Sequence, residues 1–115
     1  MLSFRYRFHG YNSLRFVYKN GSAVRGGILT VKSLENPRRS TPRVAVVVSK
    51  KVMKSAVKRN RIRRRLYEVF RHQLPLLKQN SDIVCIVTSA ELIQMDFSDL
   101  EKLIVEDLTR ARLYK

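Results

Sequence analysis

Residue types that support common catalytic or metal sites are scarce in this 115-residue chain. The single cysteine, Cys85, excludes a disulfide framework within the chain, and its place in the apolar run IVCIV predicts a small buried hydrophobe. His9 and His72 lie far apart, with no Cys, Asp or Glu at metal-ligand spacing. GSAVRGG lacks the spacing and the lysine of a phosphate-binding loop. We therefore expect no catalytic residue and no metal site in the protein itself.

Long apolar runs are also missing. None approaches the roughly 18 residues of a membrane-spanning helix, and the N-terminal MLSFRYRFHG lacks the apolar core of a signal peptide. We expect a cytoplasmic protein with no membrane partner. Nothing repeats and no low-complexity linker divides the chain. Residues 1–115 are therefore predicted to form one domain, whose 44% hydrophobic and 29% charged residues suit a globular fold.

Acidic residues are nearly absent from the first two thirds of the chain. Residues 1–81 contain 20 of the 24 Lys and Arg and only Glu35 and Glu68 as acids, a net charge of +18. Residues 82–115 contain 4 basic and 7 acidic residues, a net of −3, which gives the formal +15 in total. Such a field attracts nucleic acid, heparin-like polymers or anionic membrane. Solubility alone needs far less excess charge.

The hydrophobic pattern of the first half predicts one helix followed by strands. Asn12–Asn20 is typical of a short helix, with Asn12 or Ser13 as its cap and Gly21 as its stop. Val24–Leu34 has strand-like residues, in which Gly26 and Gly27 suggest a bulge or the start of an edge strand.

Two β-branched runs flank a long helix in the second half. Arg43–Ser49 and Asp82–Thr88 are typical of buried strands, and the helix between them predicts that they are parallel. A last helix begins near Ser98, where Ser98 and Glu101 match a capping box. Its inward stripe would be Leu100, Leu103, Ile104 and Leu108. The predicted class is α+β, in the order αβββαβα.

The long helix has one apolar and one basic side. At 100° per residue, a core-facing stripe is formed by Ile62, Leu66, Val69 and Phe70. The opposite side carries Asn60, Arg64, Tyr67 and Arg71, flanked by Arg61 and Arg63. Arginine forks bind phosphate oxygens in pairs, and a helix start adds its dipole to nearby lysines. The predicted RNA-binding residues are Lys50, Lys51, Lys54, Lys58, Arg59, Asn60, Arg61, Arg63, Arg64 and Arg65.

The N-terminus alternates rings with cations. Six of the ten aromatic residues lie in the first 18 positions, interleaved with arginines: Phe4, Tyr6, Phe8, Tyr11, Phe16 and Tyr18. Bases stack on rings while cations follow a single-stranded backbone. The alternative is that these rings anchor the N-terminal segment to the sheet.

The segment SKKVMKSAVKRNRIRRRLYEVFR resembles the signature of the bacterial ribonuclease P protein subunit family. Its Ser-Lys-Lys strand exit, Ala-Val step, Arg-Asn-Arg run and further arginines are matched by Ser49, Lys50, Lys51, Ala56, Val57, Arg59, Asn60, Arg61, Arg63 and Arg64. Arg7 and Phe8 are similar to its Arg-Leu step. The spacing of its first helix is kept by Leu14, Val17, Tyr18 and Gly21.

The resemblance implies a fold and a division of labour. The fold would be a two-layer α/β sandwich with a four-stranded mixed sheet and a left-handed βαβ crossover, like domain 2 of ribosomal protein S5. One protein would bind one catalytic RNA, which holds the Mg²⁺ ions and removes the 5′ leader of precursor tRNA. The protein would have no catalytic residue. Apart from the resemblance, the +18 segment and the lack of a visible active site predict that the protein lowers the magnesium concentration needed for activity.

The resemblance also assigns a cleft for the leader, between the first helix and the sheet. Its residues would be Arg7, Phe8, Leu14, Phe16, Tyr18 and Val31. Leu14 and Val31 stand where the family often has aromatic rings, and Tyr67 stands where an arginine is usual. Other functions consistent with the basic helix are a ribosomal or other structural RNA-binding protein, an autonomous nuclease, and a double-stranded DNA binder, which the missing helix-turn-helix spacing disfavours.

Overall fold

The structure, a computed structural model, describes residues 6–8 and 11–115, except for the side chains of Tyr11 and Asn12. Predictions for Phe4, His9 and the Tyr11 ring therefore lie outside the described residues. The elements follow the predicted order: α1 Tyr11–Asn20, β1 Ser22–Arg25, β2 Leu29–Glu35, β3 Arg43–Val48, α2 Ala56–Gln73, β4 Ser81–Val87 and α3 Phe97–Arg110. Short 3-10 turns span Leu74–Leu76 and Ala90–Ile93. The α+β class is confirmed.

The four strands form one mixed sheet in the order β1-β2-β4-β3. β2 is antiparallel to β1 and β4, whereas β3 and β4 are parallel and are joined through α2. The predicted parallel pair is thus confirmed, while the left hand of the crossover stays a prediction. Arg7 forms an isolated parallel bridge to Val44, which brings the N-terminal segment to the outer edge of β3.

The main core lies between the sheet and two helices. Strand register aligns Val31, Cys85 and Val46 on one face, because side chains alternate along a strand. These residues share a buried cluster with helical residues Ile62, Leu66, Val69, Phe70, Leu100, Ile104 and Leu108. Both predicted apolar stripes are confirmed, with Leu103 partly buried against the cluster. Among the described residues, no helix is both long enough and apolar enough to cross a membrane.

α1 packs on the other face of the sheet, against β2 and β4. Its buried residue Val17 is only 1% exposed. The helix ends at Asn20 as predicted, and the Gly21 amide donates to the Val17 carbonyl at 2.8 Å. A Cβ on Gly21 would lie 2.7 Å from that oxygen and 2.9 Å from the Ser33 carbonyl oxygen. The glycine therefore allows α1 to approach β2 closely.

Three local predictions are wrong. Gly26 and Gly27 lie in the turn of a hairpin between β1 and β2, where the Gly26 amide donates to Leu29, so they do not form a bulge. α1 begins at Tyr11, which puts Asn12 and Ser13 inside the helix. α3 begins at Phe97 with Asp96 as its N-cap. Ser98 therefore lies inside α3, too late to form the capping box.

Candidate RNA-binding surfaces

The connection from β3 to α2, residues 49–55, exposes three lysines: Lys50, Lys51 and Lys54. Hydrogen bonds fix both ends of the connection. The Ser49 carbonyl accepts from the amides of Val52 at 3.2 Å and Met53 at 3.1 Å, and the Ser55 hydroxyl caps α2 by accepting from the Lys58 amide at 3.2 Å. The first turn of α2 has no acidic residue. The helix dipole and the lysines therefore attract anions together.

The N-terminal half of α2 presents what we call the basic face: Lys58, Asn60, Arg61, Arg63 and Arg64. Lys58, Arg61 and Arg64 are exposed, and within residues 6–8 and 11–115 their side chains make no hydrogen bond or ion pair. Arg63 is half-buried and donates to the Asn60 side chain. Phosphate oxygens are suitable acceptors for the unpaired guanidinium groups.

Unlike the unpaired arginines of the basic face, Arg59 and Arg65 donate to backbone carbonyls of the protein. Arg59 donates to the carbonyls of Met53 at 3.0 Å and Lys54 at 2.8 Å, which ties α2 to the preceding connection. Arg65 donates to Leu92 at 2.6 Å, to Ile93 at 3.1 Å and to Met95. Arg59, one of the predicted RNA-binding residues, is thus half-buried, and its guanidinium already has partners within the protein. Arg65 likewise holds the chain around the 3-10 turn Ala90–Ile93, and its place in an RNA-binding surface is not supported by this geometry.

The C-terminal end of α2 departs from the expected basic side. Tyr67 is partly buried, and its hydroxyl accepts from the Val46 amide at 3.1 Å, so the ring turns toward the sheet. Arg71 lies 2.5 Å from a Glu68 carboxylate oxygen. The Arg71 hydrogen bond lowers the pKa of Glu68 from its ordinary value and keeps this pair ionised. Unpaired positive charge therefore concentrates in the N-terminal half of α2.

One flank of α1 forms a second surface, which we call the Tyr18 groove. It has a volume of about 450 Å³ and is lined by Leu14, Arg15, Tyr18, Lys19 and Val47. Lys32 approaches from β2, where its ammonium donates to the Tyr18 carbonyl at 2.7 Å and lies 4.6 Å from the centre of the Tyr18 ring. Leu14 and Tyr18, both predicted for the leader cleft, thus lie together. Val47 is only three residues before Lys50, so their Cα atoms lie within roughly 10 Å of each other.

The other residues predicted for the cleft lie elsewhere. Val31 is 0% exposed and faces α2 and α3 across the sheet from α1, so it cannot line this groove. Phe16 is 50% exposed on the opposite flank of α1. Arg7 bridges to β3, and the Phe8 ring lies 4.5 Å from the Arg43 guanidinium carbon. For Phe8, this contact agrees with the alternative that rings anchor the N-terminal segment.

The sequence did not lead us to predict four residues of this groove: Arg15, Lys19, Lys32 and Val47. Alternation could have found Lys32, because it follows the inward Val31 and must point to the face that carries α1. Helical spacing could have found Arg15 and Lys19, which are four residues apart. Val47 had no such signal, since an apolar residue in a buried strand is ordinary.

The described residues do not fit a resident metal ion. No three His, Cys, Asp or Glu side chains cluster as ligands in this part of the chain. The buried Asp82 carboxylate already accepts from Arg43 at 2.7 and 2.9 Å and from Asn36 at 3.1 Å. The magnesium ions implied by the resemblance therefore stay a prediction about the partner RNA.

Comparison with known proteins identifies the family to which the chain is similar. The Ribonuclease P family model matches residues 2–112. The ribonuclease P protein component of Pseudanabaena sp. is 44% identical over 73 residues, 64% of this chain and 63% of that protein. The one from Clostridium botulinum is 35% identical over 101 residues, 87% of this chain and 88% of that protein.

Two solved structures agree with this fold. The Staphylococcus aureus RNase P protein has a TM-score of 0.83 at 24% identity, over 96% of this chain and 98% of that one. The Thermotoga maritima RNase P protein has a TM-score of 0.79 at 24% identity, over 90% of this chain and 96% of that one. These two structures agree in fold, and the family match over residues 2–112 with the Clostridium botulinum relative shows that the chain belongs to the ribonuclease P protein family.

Proposed function

We propose that this chain is the RNA-binding subunit of a ribonuclease P ribonucleoprotein that removes the 5′ leader from precursor tRNA. The partner RNA carries out the cleavage and holds the magnesium ions. The observation that carries the proposal is the presence in one domain of an array of exposed, unpaired cations on α2 and a partly apolar groove on α1. Family membership supports the assignment to ribonuclease P.

The basic face of α2 and the three lysines before it bind the catalytic RNA. Its free guanidinium groups stand on a helix that is fixed to the core by Ile62, Leu66 and Phe70. The backbone that carries these donors is already ordered, so binding does not cost the backbone entropy that a flexible basic tail would lose.

The Tyr18 groove holds the single-stranded leader. Leu14 and Val47 supply apolar walls, Tyr18 is a ring 40% exposed, and Arg15 and Lys19 are exposed cations at the rim. A base can stack against the ring while its phosphate meets the cations. The groove gives the proposal its substrate contact, which a ribosomal or other structural RNA-binding protein would not need.

The protein acts by screening charge. Two polyanions must approach each other, and the net +18 of residues 1–81 offsets part of their repulsion. With one protein bound to each catalytic RNA, cleavage then requires less magnesium than cleavage by the RNA alone.

A cleavage assay tests the proposal. Precursor tRNA is incubated with the partner RNA across a magnesium series, with and without the protein, and with the protein alone. We expect the protein to shift the magnesium midpoint downward and to cut nothing by itself. An unchanged midpoint would contradict the screening role, and cleavage by RNA-free protein would favour an autonomous nuclease.

A binding assay tests the groove separately. Tyr18→Ala should weaken binding of the ribonucleoprotein to precursor tRNA about tenfold, within the usual range for one stacked base. Binding to mature tRNA, which has no leader, should not change. Phe97→Ala is the matched control, because it removes a similarly exposed ring from α3. Equal losses for precursor and mature tRNA would exclude a leader contact.

A further inference from the structure

α1 exposes two flanks and an outer ridge around its buried residue Val17. At 100° per residue, Leu14 and Tyr18 lie on one flank, Phe16 lies on the other, and Arg15 and Lys19 lie between them. The exposures agree, since Arg15, Phe16, Tyr18 and Lys19 are all exposed. Across its outer surface, the helix thus presents the Tyr18 ring, then two cations and then the Phe16 ring.

The far flank borders a separate groove, which we call the Phe16 groove. Its volume of about 540 Å³ exceeds the 450 Å³ of the Tyr18 groove. Its wall on α1 is Ser13 and Phe16, and its opposite wall runs from Leu34, at the end of β2, to Arg38 in the chain that follows. The Phe16 ring is 50% exposed there. A half-exposed ring facing an open groove offers a stacking surface.

Buried polar contacts make the floor of this groove rigid. Arg43 binds both carboxylate oxygens of Asp82, at 2.9 and 2.7 Å, with their side chains only 11% and 4% exposed. Asn36 donates to the same carboxylate at 3.1 Å. A two-bonded arginine-carboxylate pair has a fixed geometry. The groove is therefore already formed before a ligand binds.

The groove also has an exposed cation at its rim. Arg38 lines it, and the Arg38 amide donates to the Asn36 side chain at 3.1 Å, which fixes the backbone. Within the described ranges, the Arg38 guanidinium makes no hydrogen bond or ion pair. A free guanidinium beside a free ring is the combination that binds a nucleotide, through its phosphate and its base.

We propose that the leader strand held in the Tyr18 groove crosses α1 and places a further nucleobase on Phe16. Its phosphates pass over Arg15 and Lys19, and Arg38 binds the phosphate beyond. The crossing covers the width of one helix, roughly 10–12 Å, which a few extended nucleotides span. The inference rests on the proposed function in one respect, namely that the occupant is the leader.

Leader length separates the two grooves. Precursor tRNAs with leaders of increasing length are titrated against the assembled ribonucleoprotein, in which the cleavage site fixes the register of the leader. Tyr18→Ala should weaken binding once the leader reaches the first groove. Phe16→Ala should match the wild type for short leaders and become about tenfold weaker for long ones, as for a lost stacking contact.

Controls distinguish stacking from folding. Phe16→Tyr keeps a ring and should bind long leaders like the wild type, whereas Phe97→Ala should have no effect at any length. If Phe16→Ala equals the wild type at every length while Tyr18→Ala weakens binding, the crossing is wrong and the proposed function stands. If wild-type affinity does not depend on the leader at all, both are overturned. A Phe16→Ala loss already present without a leader also overturns the crossing.

Discussion

The two sides of α2 use the same residue type for opposite purposes. On the basic face, Arg61 and Arg64 are exposed and unpaired within the described part of the chain. On the side toward the rest of the protein, Arg59 and Arg65 bind backbone carbonyls. Arg64 and Arg65 are neighbours in sequence, yet one is free and the other makes three hydrogen bonds. A count of arginines therefore overstates the surface available to RNA.

Helix geometry explains this difference. Consecutive residues are turned by 100°, so one residue moves a long side chain from solvent to the edge of the core. At that edge, the 3-10 turn Ala90–Ile93 leaves carbonyls without helical partners. The Arg65 guanidinium satisfies them with a fork of donors. The charge that looks surplus in the sequence is partly structural.

The largest effect that sharpens this comparison should come from Arg65→Ala. It removes three charge-assisted hydrogen bonds, so we expect the free energy of unfolding to fall by about 3 kcal/mol. Urea unfolding measures this loss. Arg65→Lys should recover only part of it, because an ammonium cannot reproduce the planar fork. A stability within experimental error of the wild type would show that the carbonyl contacts contribute nothing.

The double variant Arg61→Ala/Arg64→Ala should show the reverse. Binding to the catalytic RNA should weaken about tenfold, and the salt dependence of log K should flatten by about two, one unit for each lost phosphate contact. Stability should not change, since both side chains are exposed. The matched control is Lys102→Ala/Lys115→Ala, which removes the same charge at exposed positions. An equal flattening in that control would mean that net charge, and no particular surface, attracts the RNA.

Arg59→Ala should have an intermediate effect. Two carbonyls before α2 lose their donor, which we expect to cost about 1 kcal/mol of stability. Arg59→Lys keeps the positive charge but loses the planar fork of donors. Comparing it with the alanine variant in RNA titration and thermal unfolding therefore separates the effect of charge from that of hydrogen-bond geometry. If the alanine variant binds RNA more weakly with wild-type stability, Arg59 belongs with the free arginines instead.

The smallest effect concerns a carboxylate of the acidic third. Asp107 is 2% exposed, and burial raises the pKa of its carboxyl above the ordinary value. The unfolded chain then loses this proton at lower pH than the native protein does. The contribution of this proton to the free energy of unfolding is therefore fully present below the ordinary pKa of Asp and is lost as the pH rises through the native pKa. Asp107→Asn should remove this part of the pH dependence, as urea unfolding at a series of pH values would show. An unchanged pH profile would show that the Asp107 carboxyl is solvated in the native protein.

Periodicity predicted the parts of the fold that depend on apolar burial. The stripe of α2 and the parallel pair β3 and β4 followed from helical spacing and β-branched runs. The hairpin at Gly26 and Gly27 was missed because glycines in a strand pattern indicate a bulge and a turn equally well.

The candidate site was predicted less completely, for two physical reasons. Side chains alternate in a strand, so an offset of one residue moves a position to the other face. Val31 is buried toward α2, whereas the next residue, Lys32, reaches the Tyr18 groove. The partners of Arg65 lie 27 to 30 residues away along the chain. No local pattern in the sequence encodes such a contact.

The most direct test of the divided arginines is chemical modification with an arginine-selective dicarbonyl, read by mass spectrometry with and without the catalytic RNA. We predict that Arg61 and Arg64 react in the free protein and are protected in the complex. Arg65 should react slowly in both states, and Arg112, which is exposed just after the end of α3, should react freely in both. If the RNA protected Arg112 while Arg61 and Arg64 stayed reactive, the assignment of the basic face as the RNA-binding surface would be contradicted.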